Sequence, residues 1–138
     1  TDPVEIAPDT TNFGSGGEGL SATNATLDAT GKRLQVTATA TNGYAYQNFS
    51  VTPGVQYDVS FKWIQVGGGT QGSGDFKLGS TDNGVEYVNG EFPSANATET
   101  VSTNFIATGS ILYLRLPTDT NTKITYWDDI VINESATY

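Results

Sequence analysis

No cysteine, histidine or methionine occurs in the 138 residues. Without cysteine the chain has no disulfide framework, no cysteine–zinc site and no catalytic thiol. Without histidine, Ser–His–Asp chemistry, imidazole-ligated metals and near-neutral imidazole bases are excluded together. Positive charge is also scarce: six Lys and Arg stand against 15 Asp and Glu, for a formal net charge of -9. With a pI near 4.1, the chain lacks the cationic surface that neutralises nucleic-acid phosphates or anionic lipid. No apolar run approaches the about 20 residues of a membrane helix. No secretory leader core is present either; the start at Thr1 fits a removed leader, a trimmed initiator methionine or a fragment equally well.

What remains is a strand former's composition. Thr, Gly, Asn and Ser dominate over Leu, Glu, Lys and Arg, which disfavours helices and suits strands joined by turns. One domain is expected at this length, with enough core to stand without covalent staples.

Alternation of apolar and polar residues recurs along the chain. Leu34, Val36 and Ala38 alternate after a Thr30-Gly31-Lys32 turn, and Ala45, Gln47, Phe49 and Val51 follow with Tyr44 and Tyr46 on the other face. Pro53-Gly54 marks a turn, after which Val55, Tyr57, Val59, Phe61 and Trp63 share one face. Gly67 to Gly74 reads as a glycine-rich loop. Phe76–Leu78 and Val85–Val88 read as short strands around an Asp82-Asn83-Gly84 turn. Val101, Thr103 and Phe105 alternate, and Ile111 to Leu116 is apolar except for Arg115. In the closing stretch Ile124, Tyr126, Ile130 and Ile132 share one parity. Eight to ten such strands predict an all-β, antiparallel sandwich of jelly-roll type over residues 13–138, preceded by an extended arm at 1–12 in which Pro3 and Pro8 oppose helix.

Three stretches carry a family resemblance: "LSATNATLDATGKRLQVTATA" (20–40), "YAYQNFSVTPGVQYDVSF" (44–61), and "NFIATGSILYLRL" leading to "YWDDIVINE" (104–134). In order and spacing they resemble carbohydrate-binding modules of the galactose-binding-like jelly-roll type, as found in phage tail fibres and marine bacterial surface proteins. The resemblance implies a non-catalytic module that binds glycan outside the cell, at a cell surface or on a virion. It departs from the family at "NFGSGGEGL", where Gly14 stands in place of an acid and Leu20 in place of a tryptophan. In relatives that acid helps hold a structural calcium.

Sugar-binding surfaces stack the ring's C–H groups on aromatic faces while amides and acids bond its hydroxyls. Trp127, Tyr113, Tyr44 and Tyr46 are the stacking candidates, with Gln47 and Asn48 as hydrogen-bonding partners. Trp127 earns its place by parity: if Tyr126 faces the core, Trp127 faces out. The plainer assignment for these rings is core or sheet edge, and Trp63 reads as core. By the same parity Asp128 points inward and needs a partner. That partner is either calcium, with Glu18 or a loop carbonyl completing the shell, or else backbone N–H groups, Arg115 or Lys123. Asp75, Asp82, Glu86, Glu91 and Glu99 offer acids for sugar chemistry, but no pair stands out with the opposed environments a glycosidase needs. "GGGTQGSG" has no phosphate-loop ending. Sequons at Asn24, Asn48, Asn96 and Asn133 are what so Asn- and Thr-rich a chain throws up by chance. The alternative to glycan binding is a building block or decoration subunit. It would touch partner subunits, or further copies in a homo-oligomer, through the same sandwich.

Overall fold

The computed structural model describes residues 20–30, 33–64, 75–90 and 98–135. The expected arm at 1–12, the Gly31-Lys32 corner and the Gly67–Gly74 loop lie outside them. The described residues form ten strands: β1 (Ser21–Thr23), β2 (Ala25–Thr30), β3 (Arg33–Ala38), β4 (Gly43–Ser50), β5 (Gln56–Ile64), β6 (Phe76–Gly79), β7 (Val88–Gly90), β8 (Thr98–Ile106), β9 (Ile111–Asp119) and β10 (Ile124–Glu134). All pairings are antiparallel, and they make two five-stranded sheets. The first runs β1-β4-β9-β6-β7 and the second β2-β3-β10-β5-β8. Among the described residues no helix is long and apolar enough to cross a membrane.

The alternation read from the sequence places the core. Leu34, Val36, Tyr57, Val59 and Phe61 from the second sheet meet Ala45, Phe49, Phe76, Leu78, Leu112, Leu114 and Leu116 from the first, all buried. Phe61 and Phe76 stack across the gap between the sheets, with centroids 3.7 Å apart. Pro53-Gly54 turns as expected: Val55 N–H donates to Thr52 O at 3.2 Å, and Gly54 takes the left-handed φ of 86° that glycine adopts freely.

Two expectations need correction. The short strand expected at Val85–Val88 begins only at Val88, because residues 80–87 are tied into a loop. Gly84 N–H donates to Thr81 O at 2.9 Å, Glu86 accepts from the Ser80 N–H and hydroxyl, and Tyr87 N–H donates to Leu78 O at 3.1 Å.

The second correction changes the site. β10 contains a bulge between Asp128 and Val131, so its inward parity switches partway along. Before the bulge, Thr125 and Trp127 pair with Val36 and Leu34 and face the core; after it, Ile130 and Ile132 do. Trp127 is therefore fully buried, and Tyr126 lies on the other side of the sheet.

Candidate functional site

The first sheet turns one unbroken strand face outward. On β4 the buried Gly43, Ala45 and Phe49 alternate with Tyr44, Tyr46 and Asn48. On β9, Leu112, Leu114 and Leu116 point in while Tyr113 and Arg115 point out. Directly opposed residues of an antiparallel pair share a face. The register sets Asn48 against Tyr113, Tyr46 against Arg115 and Tyr44 against Pro117. On the far side of β9, β6 brings Lys77 beside Arg115 and Gly79 beside Tyr113.

Tyr44, Tyr46, Asn48 and Tyr113 thus gather on one surface, as their sequence parity requires. Arg115 is its hub. The guanidinium sits over the Tyr44 ring, 3.7 Å from the centroid, and Tyr44 leans on Tyr46 at 5.7 Å between centroids. Arg115 Nη2 donates to Asp82 Oδ1 at 2.8 Å, while its Nε is buried without a hydrogen-bond partner. One turn carries both polar residues that reach in from the rim: Asp82 to Arg115, and Asn83, whose Oδ1 accepts from Lys77 Nζ at 3.1 Å. That turn is anchored at Gly79, where a Cβ would lie 2.5 Å from the Gly84 backbone.

Glu86 secures the loop's other end. The Ser80 hydroxyl, and then the Ser80 N–H, hold its carboxyl below the usual glutamate value, because both hydrogen bonds favour the charged form.

At the strand ends the face deepens into a cleft of about 400 Å³ between Asn42, Tyr44, Lys77, Asn83, Arg115 and Asp119. A second irregularity shapes it. Gly43 opposes Asp119 but Tyr44 opposes Pro117, so Thr118 is the extra residue of a bulge. Asn42 and Asp119 both take left-handed φ, at 63° and 64°. The displaced Thr118 turns into the core and bonds Thr125 across the sheets, oxygen to oxygen at 2.6 Å.

Three sequence candidates do not join this face. Trp127 is 0% exposed in the core, because the β10 bulge turns it inward. Gln47 opposes the buried Leu114, on the other side of the strand from Tyr46 and Asn48; the residue is half-buried and its Oε1 is buried. Asp128 has the parity of Tyr126 and lies across from Lys62 on the second sheet's outer face, not inward. Glu18, its proposed companion, lies outside the described residues, and among those described no group of three or more acidic, His or Cys side chains is placed to hold a metal. Arg115 was the residue to find. Its only sequence signal was to be the one charge in the apolar run Ile111 to Leu116.

No family model matches the chain, and no curated protein matches it in sequence. Solved structures match in shape. The N-terminal cellulose-binding domain of a Cellulomonas fimi β-1,4-glucanase C aligns over 96% of this chain and 99% of its own, at 15% identity and a TM-score of 0.68. The CBM22-1 xylan-binding domain of Paenibacillus barcinonensis Xyn10C aligns over 100% and 99%, at 15% identity and 0.62. A cyclase from Fischerella sp. TAU aligns over 99% and 100%, at 13% identity and 0.69. The fold is the jelly-roll sandwich of carbohydrate-binding modules, as the three sequence stretches implied.

Proposed function

We propose that the chain is a non-catalytic module that grips a neutral polysaccharide across the outer face of the first sheet. The observation that carries this reading is the convergence of Tyr44, Tyr46, Asn48 and Tyr113 from two paired strands on one surface, with a polar cleft at its end. Tyr46 and Tyr113 stack sugar rings. Tyr44, covered on one side by Arg115, is a wall rather than a platform. Asn48, Asn42, Asn83 and Asp119 supply donors and acceptors for hydroxyls.

The cleft's charges balance. Lys77 and Arg115 face Asp119 and the Asp82 carried on the rim, which suits an uncharged chain better than an acidic one. The solved structures that share the fold include cellulose-binding and xylan-binding domains, which makes β-linked glucan or xylan the first ligands to try. A polysaccharide ligand goes with work outside the cell, at a cell or particle surface.

The test is affinity electrophoresis in gels containing soluble β-glucan or xylan. Retardation of the native chain is expected, lost in Tyr46→Ala and Tyr113→Ala with the melting temperature little changed. Free migration of the native chain in every polysaccharide gel refutes the reading.

A further inference from the structure

The second sheet carries a groove of its own on the opposite face of the sandwich. Two rows cross its strands β10, β5 and β8: Asn133–Asp58–Asn104 and Val131–Ser60–Ser102. These six residues, with Val59 and Thr103 between the rows, line an open groove of about 410 Å³, within the about 300–1,000 Å³ common for small-ligand sites. Their chemistry is mixed and compact: one carboxylate, two amides, three hydroxyls and two aliphatic side chains.

Asp58 Oδ1 accepts from the Ser135 hydroxyl at 2.6 Å, which orients the carboxylate and leaves Oδ2 for another donor. Asn133 Oδ1 is buried at the groove wall with no hydrogen-bond partner. A buried acceptor without a donor is costly. The amide's terminal torsion is soft, so a modest rotation brings it to the groove.

We infer that this groove is a second binding site, which takes a single neutral sugar ring through hydroxyl hydrogen bonds to Asp58, Asn133, Ser60, Ser102 and Asn104, with Val131 beneath. An anion is disfavoured because, among the described lining residues, the one charged side chain is the carboxylate of Asp58. A peptide's apolar side chain would find only Val131 and the largely buried Val59. Donors and acceptors at several angles match a ring bearing hydroxyls at each carbon. The described lining residues include no aromatic platform, so the groove holds a ring by its edges and not by stacking. Its backs-together arrangement with the first sheet's face gives one module two separate sugar contacts, enough to bridge two chains.

The inference does not rest on the reading of the first face, and one experiment separates them. The ¹⁵N-labelled chain is titrated with glucose, galactose, mannose and xylose while its amide resonances are followed. At least one sugar should shift the amides of Ser60, Ser102, Asn104, Val131 and Asn133 saturably. Ser102→Trp, which fills the groove from an exposed edge strand, should weaken that response at least about tenfold, and Tyr46→Ala should leave it intact. A well-dispersed spectrum shows that each variant is folded. Shifts confined to the first sheet, an undiminished response in Ser102→Trp, or no response to any sugar overturns the inference.

Discussion

Arg115 covers one face of Tyr44 at 3.7 Å and so decides which tyrosines of the first sheet remain open to a ligand. The same guanidinium ties β9 to the 80–87 loop through Asp82. One side chain therefore sets both the wall and the rim of the cleft.

Arg115→Ala is expected to cut polysaccharide affinity by about tenfold or more, a loss of at least about 1.4 kcal/mol. Its effect on folding should be smaller, about 1–2 kcal/mol: a cation–π contact contributes about 0.5–2 kcal/mol and a pair with an exposed carboxylate at most about 1. Arg115→Lys should not restore binding, since a compact ammonium does not cover a ring as a planar guanidinium does. Calorimetric titration with urea melts separates the two effects.

Trp127 belongs to stability, not to recognition. Trp127→Ala should destabilise by about 3–5 kcal/mol through the cavity it leaves between the sheets. Binding per folded molecule should then be unchanged. A variant that keeps its full urea midpoint while losing binding would contradict the burial seen here.

Thr118 and Thr125 bond one another in the dry interior at 2.6 Å, and Thr118 Oγ1 also reaches Val36 O at 3.3 Å. Either Thr→Val change alone should cost about 1–3 kcal/mol, because a buried hydroxyl then loses its partner. The double change should cost less than the sum of the two. A double-mutant cycle by chemical denaturation measures that difference, and strict additivity would show that the hydroxyls are not coupled.

Glu86 gives the loop an acid sensitivity. Its carboxyl titrates below the usual range when folded, because Ser80 donates to the charged form. Its contribution is therefore complete above the ordinary glutamate value and is lost as pH falls through the lower, folded value. Glu86→Gln should remove this part of the acid dependence and lower the neutral-pH melting temperature slightly, since the amide accepts from Ser80 more weakly than the carboxylate. Loop amides near Asp82 and Asn83, followed by NMR from neutral pH downward, report it directly.

The outward set on β4 was legible because its alternation runs unbroken from Gly43 to Ser50. Tyr44, Tyr46 and Asn48 could be assigned to one side before any partner strand was known. The same rule turns Gln47 inward, and its amide character misled only as to which surface it serves. β10 is different. Its residues look regular, yet Trp127 and Asp128 exchange the sides that parity assigned them, because between Asp128 and Val131 the strand holds one residue more than its partner β5. A bulge carries no local signature when both neighbours are good strand formers.

Composition and alternation alone determined that this chain would be an antiparallel sandwich, excluded cysteine and histidine chemistry, and chose most of the core. Side-chain direction in a strand is a local property, repeated every second residue. Only the tertiary structure decided that Arg115 meets Tyr44, Lys77 and Asp82, that Trp127 turns inward, and that a second polar groove crosses β10, β5 and β8. Those outcomes depend on strand order and register, which are settled by packing among segments distant in the chain and which no short stretch of sequence encodes.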